Sequence, residues 1–135
     1  MQMAAARPGL KDWQSPPSWV TVDGKDDPWG TALLDTGLTN MMIGRPDTEQ
    51  ADLPEGTPIT VHLMDGKLKY SFKTGSTAGP TTPRRVTRTN RPFVYVNTGL
   101  RALAVFDYLY DADGGYFGLR PTKPLAPPPP AATRR

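Results

Sequence analysis

The chain has no cysteine and a single histidine, His62. Disulfides and thiolate metal sites are therefore excluded, and a serine-type triad has little to build on. Long apolar runs are missing as well. No stretch is long enough to span a membrane, and Met1 to Leu10 has no apolar core of the signal-peptide kind. The default expectation is a cytoplasmic chain with no membrane partner. Acids are absent from one long region. Residues 66–101 carry Lys67, Lys69, Lys73, Arg84, Arg85, Arg88, Arg91 and Arg101 with no Asp or Glu among them. The whole chain carries only +3, so the charge is uneven rather than large. Such a patch suits an acidic partner or a solvated strand pair and loop.

Proline and glycine are plentiful, with 16 and 13 copies in 135 residues. Both break helices, so short strands joined by turns are expected. A hydrophobic share of 37% and this length suit one domain with a modest core. Three regions are expected. Residues 1–17, with Pro8-Gly9 and Ser15-Pro16-Pro17, form an N-terminal arm. Residues 18–120 form the folded unit. Residues 121–135, with Pro127 to Pro130, form a disordered Pro-rich tail.

Within 18–120 the alternation predicts strands at Trp19–Val22, Thr31–Leu34, Thr57–Met64, Lys67–Lys73, Pro92–Val96 and Tyr116–Leu119. Met41-Met42-Ile43 is a short apolar run, and 44–56 is expected to be a polar loop. Asp23-Gly24 and Asp65-Gly66 are turn signals, the second closing a hairpin. That hairpin puts Ile59, Val61 and Leu63 on one face, and His62 on the opposite, polar face. Leu100–Phe106 is the one helix candidate. Residues 74–83 read as a flexible loop.

The chemistry-bearing run is Ala32-Leu33-Leu34-Asp35-Thr36-Gly37. An apolar strand that ends on Asp-Thr-Gly delivers a carboxylate to a tight turn. Gly37 lets the backbone turn and brings its N–H to that carboxylate. Further on, Asn97-Thr98-Gly99 precedes Leu100–Phe106, then Leu109-Tyr110-Asp111 and Tyr116-Phe117-Gly118. This order resembles one lobe of a pepsin- or retropepsin-like aspartic peptidase, most nearly a pepsin-type C-terminal lobe. The resemblance implies an all-β, closed, barrel-like lobe with one short helix.

The resemblance also implies an activity, endopeptidase hydrolysis of a polypeptide substrate without a cofactor or metal. Two carboxylates held close share one proton, so one acts as base toward water and the other as acid toward the carbonyl oxygen. One Asp-Thr-Gly on so short a chain supplies one carboxylate. The second would come from a homodimer, one Asp35 per subunit, or from a complementary lobe. Thr36 would hydrogen-bond across to that partner. Leu38 and Thr39 follow the turn. Leu38 stands where pepsin lobes place a hydroxyl that favours the ionised carboxylate, which implies a less acidic optimum than pepsin's. Asn97 and Thr98 stand where two apolar residues normally precede the closing glycine.

Other readings stay open. The lobe could be catalytically silent, or separated from its partner and used for binding. Asn97-Thr98-Gly99 could be a degraded second active-site turn. Nucleic acid could bind Arg84, Arg85, Arg88 and Arg91 beside Phe93 and Tyr95, although no RNA-binding motif is present. Asp26-Asp27 and Asp111/Asp113 read as solvated turn residues. Trp13, Trp19 and Trp29 read as core or interface anchors. Residues 74–79 are the one candidate for a mobile flap.

Overall fold

The computed structural model describes residues 1–5, 7–9, 12–75 and 79–123. The expected tail from 124 onward and the centre of the flap candidate, 76–78, lie outside the described residues. The fold is mostly β. The main strands are β1 (Pro17–Val22), β2 (Lys25–Asp26), β3 (Gly30–Leu33), β4 (Met41–Arg45), β5 (Ala51–Asp52), β6 (Pro58–Leu63), β7 (Leu68–Lys73), β8 (Val86–Asn90) and β9 (Tyr95–Asn97). A 3₁₀ turn, η1 (Gly99–Ala104), leads into a hairpin of β10 (Phe106–Asp111) and β11 (Tyr116–Pro121).

The nine strands β1 to β9 form one sheet, in the order β5-β8-β4-β9-β3-β1-β6-β7, with β2 alongside β1. The sheet is open, which corrects the expected closed barrel. Its two rims are unsuited to pairing with each other. β5 is two residues long, and β7 exposes Lys69 and Lys73 on its solvent face. Short and charged rims of this kind resist further pairing.

The β6–β7 hairpin follows its sequence pattern. Ile59, Val61 and Leu63 are buried, as are Tyr70 and Phe72 opposite them. Val20 and Val22 of β1, Met41 and Ile43 of β4, Val86 of β8 and Val96 of β9 join the same apolar cluster. Ala102 and Phe106 cap it, with the Phe106 ring 6.0 Å edge-on from Tyr70. Each large aliphatic side chain buried there contributes roughly 1.5–3 kcal/mol.

Several elements differ from the sequence pattern. The expected polar loop 44–56 contains the end of β4 and all of β5, which its polar residues conceal because backbone pairing with β8 holds them. β8 falls in a stretch for which the pattern predicts no element, because Val86-Thr87-Arg88-Thr89-Asn90 has too few apolar residues to show alternation. It is held instead between β4, in parallel, and β5. Pro92 and Phe93 stand outside β9, which begins at Tyr95. The helix candidate is a 3₁₀ segment that ends at Ala104, so Phe106 opens β10.

The N-terminal arm clasps the β10–β11 turn. Met3 N–H donates to Gly115 O, Phe117 N–H donates to Met1 O, and Trp13 Nε1–H donates to Ala112 O at 2.7 Å. No helix among the described residues is long and apolar enough to cross a membrane.

Candidate active-site turn

β3 carries the chain to Asp35 through Leu33 and Leu34. β9 lies between β3 and β4, parallel to the first and antiparallel to the second. The threading brings Asn97-Thr98-Gly99 directly behind the turn that links β3 to β4. Gly99 has φ +60, and a Cβ there would stand 2.4 Å from Asn40 O and 2.5 Å from Leu38 O. Only glycine fits so close to two carbonyls in the left-handed region. Leu100 N–H then donates to Leu38 O at 2.8 Å, and Thr98 N–H to Leu33 O at 3.0 Å.

The Asp35 carboxylate is half-buried and is held at both oxygens. Gly37 N–H donates to Oδ1 at 2.9 Å. Asn97 Nδ2–H donates to Oδ2 at 3.0 Å. Asn97 Oδ1 in turn accepts from Gly99 N–H at 2.9 Å. The amide thus uses its donor on the carboxylate and its acceptor on the closing glycine, which fixes its orientation. Hydrogen bonds from neutral donors to a carboxylate are of the stronger, charge-assisted kind.

Each site residue has a definite place. Thr36, Gly37 and Thr39 are exposed, and Leu38 is half-buried. Asn97, Thr98 and Gly99 are buried. Thr98 is fully enclosed, and its hydroxyl donates to Gly99 O at 3.0 Å, with Leu33 O at 3.3 Å as the alternative acceptor. Its side chain also meets the buried Tyr70 hydroxyl, whose pKa is pushed well above the ordinary 10.0 by burial. The polar pair Asn97-Thr98 is therefore internally satisfied. Among the described residues the hydrogen-bond partners of Asp35 are two neutral donors and no acid.

Away from the turn, two assignments change. Asp27 is buried, 8% exposed, and it accepts from Arg45 Nη1 at 2.9 Å and pairs with Arg88 Nη1 at 3.2 Å. It is a structural ion-pair centre and not the solvated turn residue its neighbours suggested. The signal was available only across the chain, from two arginines on strands that pair with each other. Arg85 likewise pairs with Asp52 at 3.6 Å. Part of the basic patch is thus neutralised by acids that lie outside 66–101.

Thr74, the first residue of the flap candidate, is buried, and its hydroxyl accepts from Thr57 N–H at 2.8 Å. It belongs to the fixed fold. Asp111 closes its turn by accepting from Asp113 and Gly114 N–H. His62 stacks on Trp19 at 4.6 Å, and Trp19 stacks on the exposed Trp29 at 5.4 Å. Among the described residues no cluster of His, Cys, Asp or Glu could hold a metal ion. Compared with known proteins, the chain matches no family model, no curated protein and no solved structure.

Proposed function

We propose that the chain is an aspartic-peptidase-like lobe that contributes one carboxylate, Asp35, to a two-carboxylate hydrolytic site completed across a homodimer. The observation that carries this reading is the pair of donors on Asp35. Gly37 N–H and the Asn97 amide aim the carboxylate, while the turn itself stays accessible to solvent. The passage of β9 between β3 and β4 supports it, since the closing glycine then backs the active-site turn.

In the dimer, two Asp35 carboxylates would meet about the two-fold axis and share one proton. The ionised partner takes a proton from water as its oxygen attacks the peptide carbonyl. The protonated partner donates to the carbonyl oxygen. The carboxyl that took the proton from water then passes it to the amide nitrogen. A hydroxyl of the resulting diol returns its proton to the other carboxylate as the C–N bond breaks. Amine and carboxylic acid leave, and the pair again holds one proton. Exposed Thr36 is free to hydrogen-bond across the axis.

The test is cleavage of an unfolded polypeptide between roughly pH 4 and 6, paired with sedimentation of the same sample. A cleaving dimer whose Asp35→Asn variant is inert is the expected result. Cleavage that survives Asp35→Asn, or that comes from a monomer, overturns it. A second reading is favoured by the neutral surroundings of Asp35. A lobe without its own acid partner would serve as a binding module or as half of a mixed pair. An inert chain that stays monomeric alone would point there.

A further inference from the structure

An open cavity of about 530 Å³ adjoins the loop that follows Asp35, lined by Thr39, Thr82, Pro83, Arg84 and Arg101. Both guanidinium groups hang from backbone that is tied to this loop. Arg84 N–H donates to Thr39 O at 3.3 Å. Arg101 lies in η1, whose entry is pinned by Leu100 N–H on Leu38 O. Arg7, Arg45, Arg85, Arg88 and Arg120 all pair with aspartates. Arg84 and Arg101 have no ion-pair partner among the described residues. Arg101 Nε is buried and has no hydrogen-bond acceptor. A partly desolvated guanidinium without a counter-charge is costly, and an anion in the cavity would supply that charge.

We propose that this cavity binds a carboxylate of the polypeptide substrate, an acidic side chain or a free C-terminus, and so makes the Asp35 site acid-selective. The proposal rests on the peptidase reading of Asp35. Two guanidinium groups supply positive charge and N–H donors suited to a carboxylate, and two threonine hydroxyls can donate to it as well. No acid is among the described residues that line the cavity, and Glu55 stands behind one of them, Gly75. The surrounding acid-free segment, 66–101, would draw an acidic peptide toward it.

The experiment measures binding to the full chain carrying Asp35→Asn, so that cleavage plays no part. Three N-acetylated peptides of equal length are titrated by NMR: one with Glu and an amidated end, one with Gln and a free C-terminus, one with Gln and an amidated end. One of the first two should bind at least about tenfold more tightly than the third, and which one does identifies the carboxylate. Arg84→Ala, at an exposed side chain, and Arg101→Gln should each remove most of that advantage. Equal affinity for all three peptides overturns the proposal. So does an advantage that survives Arg84→Ala, or inorganic phosphate displacing the peptide at equal concentration. A wild-type chain that fails to cleave would sink the peptidase reading and leave this binding result standing. Intact cleavage with no acid preference would sink only the cavity.

Discussion

Asn97 donates its side-chain amide to Asp35 across 62 positions of sequence, at 3.0 Å. It is buried and also accepts from Gly99 N–H, so one side chain joins the candidate catalytic turn to the loop behind it. Replacing it with alanine strands both partners. Asn97→Ala should cost about 1–3 kcal/mol, read as a lower denaturant midpoint with an unchanged slope. Asn97→Asp is the sharper variant. It puts a second carboxylate against Asp35, and the pair must share a proton. One folded pKa then rises above its unfolded value, so the folded state holds the extra proton. Stability is retained in acid and lost as pH rises through the raised pKa. The variant should match wild type most closely near pH 4 and fall furthest below it near pH 7.5, in paired urea titrations. A constant gap at both values would contradict the shared proton.

Much of the sheet was legible because its buried strands alternate. Ile59-Thr60-Val61-His62-Leu63 and Leu68-Lys69-Tyr70-Ser71-Phe72 announce one apolar face, and Asp65-Gly66 announces the turn between them. The turn at Asp35 was legible for a different reason, since an apolar strand running into Asp-Thr-Gly is a local pattern. β8 was not legible, because Thr87 and Arg88 are held by partners on both sides and not by their own hydrophobicity. The role of Asn97 was hidden too. Its polarity looked like a defect in the closing loop, and only the placement of β9 beside β3 shows what the amide meets. Barrel closure failed for a reason of composition, with a two-residue strand at one rim and lysines at the other.

Asp27 holds Arg45 on β4 and Arg88 on β8, two strands that pair in parallel with Ile43 opposite Arg88. Asp27→Asn keeps the shape and removes the charge. Arg88, with its side chain 22% exposed, is then left without a counter-ion. A fully buried pair would cost more, but Arg45 reaches solvent, so a loss of about 2 kcal/mol is expected. The reading is the thermal midpoint of Asp27→Asn against wild type. Adding Arg88→Met to Asp27→Asn should recover part of the loss, since the stranded charge is gone. No recovery would mean that the cost lies elsewhere than in the unpaired guanidinium.

Gly99 is the tightest backbone contact at the candidate site. Its positive φ already disfavours a side chain, and the two carbonyls of Leu38 and Asn40 leave no room for Cβ. Neither carbonyl can swing away without moving the loop that sets Asp35. Gly99→Ala should therefore cost more than the roughly 1–2 kcal/mol of the left-handed conformation alone. If the chain still folds, the Asp35 turn must shift, and amide NMR shifts should change at 35–40. A variant as stable as wild type, with those shifts unmoved, would refute the packing described for this loop.

His62 offers a pH test with a single probe, since it is the one histidine. Thr21 has one hydroxyl proton and lies between Asp26 Oδ1 and His62 Nε2. The carboxylate takes that proton, so the Thr21 oxygen accepts from Nε2–H, and Nδ1 is the site left to protonate. Burial against Trp19 lowers the imidazole pKa below 6.5, Asp26 opposes the shift, and Lys69 adds to it. The unfolded state therefore takes up the proton first. Stability that is full above about pH 6.5 should decline as pH falls toward the folded pKa. NMR titration of the ring should give a midpoint below that of a free histidine. His62→Gln should lose less stability than wild type between pH 7.5 and 5.5. Equal losses in the two chains would show that the stacked ring carries no proton linkage, and that acid sensitivity in this range arises at the carboxylates.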